Sequence, residues 1–292
     1  MVNIFKNKKY NYLIIIGVVI FCCTFIIYNV IFTILGRETN HLTRLETTNN
    51  YFFFVFSALF VAPILEEIIF RGFFIKKFYV KIISVIGIPI YIYITDNYYL
   101  FTFYIILLMT QFLRQSNKVF LFFLNSILFS LVHYKIYDFH SVYTILPMFF
   151  QFSMGLILLW VVLNYSLVKS ILIHFSFNLF LVIVLTIPLQ FPNTNIHEVK
   201  HLGYSMKWQK TPILNSKNTI VSMPSEYEVK AENVDLKKFY KSFENDSDRI
   251  KIKDDNLFYK FEIVITKTDT TIASKLNAEI VEILLKKADL VH

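Results

Sequence analysis

Long apolar runs separated by short polar breaks fill the first two thirds of the chain, and strict alternation appears only near its end. The first run extends from about Tyr12 to Leu35. Further apolar segments fall near 52–75, 80–95, 98–113, 119–134, 142–163 and 168–189, which predicts about seven transmembrane helices. A helix needs roughly 20 residues to cross a hydrocarbon core of about 30 Å. The third and fourth segments are short for that task, and Pro89 interrupts the third. The basic stretch MVNIFKNKK before the first run looks like the start of a secretory signal. The run is longer than the roughly 7–15 apolar residues of such a signal, however, and no small-x-small cleavage site follows it, so it reads as an uncleaved first transmembrane helix.

The pattern changes at Phe191-Pro192. Leu257-FYKFEIVIT-Thr266 alternates, placing Leu257, Tyr259, Phe261, Ile263 and Ile265 on one face of a half-buried strand. Asp254-Asp255-Asn256 before it is turn chemistry and predicts a hairpin back to 250–253. Ile272, Leu276, Ile280, Ile283 and Leu284 recur at helical spacing and predict an amphipathic helix near the C-terminus. The expected fold class is an all-α polytopic membrane helical bundle over residues 1–190, followed by a small soluble α+β domain over 191–292.

Composition supports this division. The chain of 292 residues is 55% hydrophobic and 17% charged, whereas a soluble domain carries about 25% charged residues. Residues 1–190 hold 13 Lys/Arg against 6 Asp/Glu, and residues 191–292 hold 16 against 15. The excess positive charge therefore belongs to the membrane part, where basic loops set orientation, and it does not point to nucleic acid. Lys6, Lys8, Lys9, Lys76, Lys77, Lys81, Arg114, Lys118 and Lys169 fall on one side, and Arg37, Arg44 and Lys135 on the other. This bias places the N-terminus in the cytoplasm of a cell inner or plasma membrane, and seven spans then put the C-terminal domain outside. Cys22 and Cys23 are neighbours on one helix, pointing about 100° apart, and read as small apolar fillers.

The first 190 residues contain six acids, and four of them lie in expected loops or at segment ends. The other two, Glu66 and Glu67, are adjacent inside an apolar run, with Arg71 one turn on. A charge at membrane depth costs roughly 2.5–3.5 kcal/mol or more, so such a pair is expected to be paired, to line a polar cavity, or to do chemistry. Glu67 and Arg71 stand at i, i+4 and share a face, which leaves the Glu66 carboxylate free to face something else. Of seven histidines only His133 and His174 fall within expected spans. His174 and Asn178 are again i, i+4 on one helix face. A structural ion pair and satisfied interhelical histidines are the plainer reading of each feature taken alone. The ordered set EExxxR, FxxxH and HxxxN, each on its own apolar segment, is more specific.

EEIIFRG (Glu66–Gly72), FSLVH (Phe129–His133) and HFSFN (His174–Asn178) resemble the three motifs of the CAAX protease and bacteriocin-processing family of intramembrane proteases, related to the CAAX-prenyl endopeptidase. The stretch Gly155-LILLWVVLNYSLVKSILI-His174 is similar to that family's approach to its third motif. The likeness covers roughly residues 50–190. It implies hydrolysis of a peptide bond in a membrane-associated peptide or protein within the lipid bilayer. Glu66 would activate water, with Glu67 and Arg71 fixing the helix and the local charge. His133, His174 and Asn178 would bind a metal, with Zn2+ the candidate, or would polarise the water and stabilise the oxyanion without one. Phe129 would pack. The 66 residues from Glu67 to His133 are about double the expected spacing, and the excess is the size of a helical hairpin, at 80–113. Two other classes would keep the same residues: a non-catalytic immunity or scaffold protein, and an ion-coupled transporter. Transport predicts internal symmetry, and the sequence has none.

Overall fold

The structure, a computed structural model, describes residues 9–35, 51–112, 118–136, 139, 142–244, 250, 252–253, 256, 258–269 and 275–292. Its helices follow the apolar runs: α1 (Asn11–Leu35), α2 (Tyr51–Phe74), α3 (Phe78–Ile94), α4 (Leu100–Phe112), α5 (Lys118–Leu131), α6 (Val142–Asn164) and α7 (Leu167–Gln190). Four contain stretches long and apolar enough to cross a membrane: Asn11–Val30, Tyr51–Phe74, Ile145–Asn164 and Leu167–Gln190. The apolar helices α3, α4 and α5 have 17, 13 and 14 residues, which at about 1.5 Å per residue falls short of a ~30 Å core. Large apolar side chains such as Phe25, Phe60, Ile94 and Phe180 face outward, as they do where the surrounding solvent is lipid. The chain is an integral, multi-pass membrane protein.

Two compact units divide the described residues. One holds α1 and residues 55–179, and the other holds residues 51–54 and 180–292. In the first unit α5 is short but buried on several sides. Leu121, Leu124 and Leu128 pack with Phe70 and Phe73 of α2, Ile88 and Ile92 of α3, and Leu100 and Leu107 of α4. Phe122 joins Leu13 of α1 and Leu156, Leu159 and Trp160 of α6. Hydrophobic burial does not drive helices together in lipid, so close approach at small residues matters more. Gly72 and Gly87 provide it between α2 and α3: a Cβ on Gly87 would stand 3.0 Å from Ile69, and one on Gly72 3.2 Å from the Val80 carbonyl.

Pro89 does not end α3, which continues to Ile94. Proline has no N–H, so the carbonyl of Val85, four residues earlier, loses its helical donor. The Tyr104 hydroxyl of α4 supplies the missing donor, at 2.6 Å from Val85 O. Left unpaired among apolar side chains, that carbonyl would cost free energy that the tyrosine bond recovers.

In the second unit, β1 (His197–His201), β2 (Tyr204–Thr211), β3 (Ile220–Ser225), β4 (Glu228–Val234) and β5 (Lys260–Lys267) form an antiparallel sheet in the order β1-β2-β5-β4-β3. Its core joins Tyr204, Met206, Phe261, Ile263 and Ile265 to Phe239 and Tyr240 of α8 (Leu236–Lys241) and to Ile280, Val281 and Leu284 of α9 (Ala278–Lys287). The expected alternation is present: Phe261, Ile263 and Ile265 are buried and their neighbours are not. Tyr259 precedes the strand, and Leu257 lies outside the described residues. Among the described residues the expected hairpin is not seen: Ile252 pairs with Val291, and β5 lies between β2 and β4. Asp254 and Asp255 of its turn lie outside the described residues. The C-terminal helix starts later than its apolar spacing suggests, at Ala278, because Asn277 caps it by accepting the Ile280 N–H at 3.0 Å. Ile272 lies outside the described residues.

Tyr104→Phe should destabilise the membrane unit by about 1–3 kcal/mol, since it orphans a buried carbonyl. Pro89→Ala restores a backbone donor and should remove most of that effect. Melting of the detergent-solubilised single and double variants measures the coupling, and equal Tyr104→Phe losses in both backgrounds would refute it.

Candidate active site

Helix α2 is not uniform. Two wide π turns, Ser57–Val61 and Glu67–Arg71, interrupt it, and a 3-10 turn at Gly72–Phe74 ends it. The amides of Ala62 and Gly72 reach back five residues to the carbonyls of Ser57 and Glu67. Such bulges disturb the helical hydrogen-bond ladder and are frequent at functional sites. Side chains from three other helices bond carbonyls within these turns. Asn178 Nδ2 of α7 donates to Ala58 O at 2.8 Å, and Asn125 Nδ2 of α5 donates to Phe70 O at 3.1 Å. The Ser84 hydroxyl of α3 donates to the carbonyl of Ile69. The second π turn begins at Glu67, where the two carboxylates diverge.

Glu67 points into protein and is fully buried. Its Oε2 accepts the Ser170 hydroxyl at 2.5 Å and lies 3.5 Å from Arg71 Nε, while Oε1 lies 3.2 Å from His174 Nδ1. Arg71 is buried too, with its guanidinium 3.9 Å from the centre of the Phe129 ring. Its nitrogens make no hydrogen bond among the described residues, and the nearest carboxylate, Glu67, stands at ion-pair distance. The guanidinium is thus held by the Glu67 charge and by the aromatic face. Phe129 also stacks edge-on against Phe70, His133 and His174, which is the packing role expected of it.

Glu66 has a different set of neighbours. Its Oε1 lies 3.5 Å from His133 Nε2, and its Oε2 lies 3.8 Å from His174 Nε2. The Tyr91 hydroxyl of α3 donates to Oε1 at 3.2 Å. The far nitrogens determine the tautomers. His133 Nδ1 is 2.8 Å from the Phe129 carbonyl, which can only accept, so Nδ1 carries hydrogen. His174 Nδ1 faces the Glu67 carboxylate in the same way. In the neutral rings both Nε2 atoms therefore present lone pairs toward Glu66, an arrangement that calls for a shared proton or a water between the groups.

The structure brings together Glu66, Glu67, Arg71, His133 and His174. Asn178 stands one turn beyond His174 on α7 and commits one amide hydrogen to Ala58. Among the described residues no group of three or more His, Cys, Asp or Glu is arranged to hold a metal ion. No three-ligand zinc site is assembled among the described residues: two imidazoles converge on Glu66, and Asn178 turns its amide nitrogen, which is not a metal ligand, to α2. Sequence reasoning did not single out Tyr91, Ser170, Asn125 or Ser84. A signal existed for two of them in four-residue polar stripes, Ser170-His174-Asn178 on α7 and Asn125-Phe129-His133 along α5 and its end.

Residues 48–180 match the sequence profile described as Rce1-like, type II CAAX prenyl endopeptidase. No curated protein and no solved structure matches the chain.

Removing one member of a buried ion pair strands the other charge, so Arg71→Met should destabilise by about 3–5 kcal/mol. The double variant Glu67→Gln/Arg71→Met should recover part of the loss. Thermal unfolding in detergent reads both, and a neutral Arg71→Met would show that the pair is not needed for folding.

Proposed function

We propose, from the premise that residues 48–180 form a domain of the Rce1-like type II CAAX prenyl endopeptidase family, that this chain is an intramembrane endopeptidase with Glu66 as its general base. Family membership implies protease activity. The observation that carries the assignment of the base is the convergence of His133 Nε2 and His174 Nε2 on one carboxylate that is 7% exposed. Water held against Glu66 gives a proton to the carboxylate as its oxygen bonds to the scissile carbonyl carbon. The C–N bond then breaks, and the proton passes from Glu66 to the leaving nitrogen. When the proton shared with Glu66 rests on His174, that ring donates from both nitrogens, Nδ1 to Glu67 and Nε2 toward the developing oxyanion. Asn178 retains a second amide hydrogen for the same task. Glu67, Ser170 and Arg71 keep His174 oriented. No step is routed through a metal, because the donor set does not form a site for one.

The substrate is a membrane-associated peptide or protein, since the base lies in the helical membrane unit. The family's name couples it to CAAX prenyl substrates, which makes a farnesylated CAAX peptide the first probe and an unmodified transmembrane peptide the second. We read residues 1–190 as the membrane domain and 191–292 as a soluble α+β domain, with all of α1 to α7 as spans. The basic residues then place the N-terminus in the cytoplasm and the soluble domain outside.

In proteoliposomes Glu66→Gln should lower turnover by about 10²–10⁴-fold without loss of folding, and His133→Ala and His174→Ala should do likewise. Chelators should leave the rate unchanged, whereas loss restored by zinc would replace this mechanism with a metal-dependent one. Full activity, or a fully intact phenotype, in Glu66→Gln would favour a scaffold or immunity role. Separately, a cysteine introduced in residues 191–292 should react with a membrane-impermeant maleimide in intact cells, and protection until lysis would reverse the orientation.

A further inference from the structure

The hairpin α3–α4 lies inside the stretch that makes the Glu67-to-His133 spacing twice what the motifs lead one to expect. It does more than fill lipid-facing volume. At three points it reaches the site. The Tyr91 hydroxyl donates to Glu66 Oε1 at 3.2 Å, while its ring stands edge-on to Phe70. In the loop that joins the two helices, the buried Asn97 donates to the carbonyl of Val132 at 2.8 Å, and the Tyr99 hydroxyl donates to that of Tyr134 at 2.9 Å. Val132 and Tyr134 flank His133, which sits in the turn that ends α5. The hairpin therefore holds the carboxylate directly and grips the histidine turn on both sides.

We propose that Tyr91 is a positioning residue for the general base, and that the hairpin is a working part of the site. This rests on the protease reading above. A carboxylate flanked by two imidazole nitrogens can rotate about its last torsion, which has a broad profile. A donor at Oε1 selects one rotation and leaves Oε2 toward His174. Without the phenol the carboxylate is still present and still basic, but its orientation toward the attacking water is no longer set. The loss falls on kcat rather than on substrate binding, because Tyr91 acts through Glu66.

The test uses the full-length protein in proteoliposomes with the farnesylated CAAX peptide and the transmembrane peptide as probes. Tyr91→Phe should lower kcat about tenfold, in line with loss of one hydrogen bond to a charged group, with KM within about twofold and melting unchanged. Replacing Tyr91 by 4-aminophenylalanine, which keeps a donor at the same place, should restore most of the rate. The carboxyl stretch of Glu66, identified in the infrared spectrum as the band lost in Glu66→Gln, should move in Tyr91→Phe. Asn97→Ala should also lower kcat, through His133, without moving that band. Wild-type rates and an unmoved band in Tyr91→Phe, with Glu66→Gln inactive, would overturn the proposal and leave the protease reading intact. Cleavage at the wild-type rate by Glu66→Gln, or no cleavage of either peptide by the wild type, would overturn that reading and the proposal with it.

Discussion

A fully buried carboxylate with three partners, Arg71, Ser170 and His174, organises the membrane unit. Glu67 lies in a helix that is otherwise apolar enough to cross a bilayer, and no water competes for it there. Its charge has to be answered by protein, and each answer binds another element into place. Arg71 ties the π turn of α2 to the Phe129 ring of α5. Ser170 and His174 tie α7 to the same turn. With α5 and α7 held against α2, His133 and His174 both reach the neighbouring Glu66.

Two adjacent glutamates can take such different roles because helix geometry separates them by about 100°. One points into a network that neutralises it, and the other toward imidazole rings whose hydrogens are committed elsewhere. The π turns add to this. They open the backbone ladder of α2 around the site, and Asn178, Asn125 and Ser84 close it again from three sides. Local irregularity in α2 is thus balanced by polar side chains that would otherwise have no place in apolar helices.

The same accounting explains the hairpin. α3 tolerates Pro89 because Tyr104 of α4 answers the carbonyl of Val85, and the two helices support each other before they support the site. Their loop then satisfies backbone carbonyls on either side of His133. Polar groups in α3, α4 and their loop thus serve the backbone of neighbouring elements.

The order of residues alone already determined the course of the membrane part. The apolar runs mark α1 to α7 to within a few residues; in the four long enough to cross a bilayer, a backbone in lipid has few ways to satisfy its own hydrogen bonds and must be helical. Glu66, Glu67, Arg71, His133 and His174 stood out for the related reason that ionisable groups are rare in such runs. The alternation around Phe261, Ile263 and Ile265 marked β5. What the sequence did not determine was partnership across distance. The placing of β5 between β2 and β4, the pairing of Ile252 with Val291, and the delayed start of α9 at Asn277 depend on which segments meet and on one cap. Tyr91 looked like one tyrosine among 18, and only the packing of α3 on α2 aims it at Glu66. Asn178 shared a face with His174 as its spacing required, but its amide serves a carbonyl on α2 that became available only because that helix bulges. Periodicity along a chain is a local property with a fixed pitch, whereas the partner of a buried polar group is set by which helices touch, and that was decided by tertiary packing.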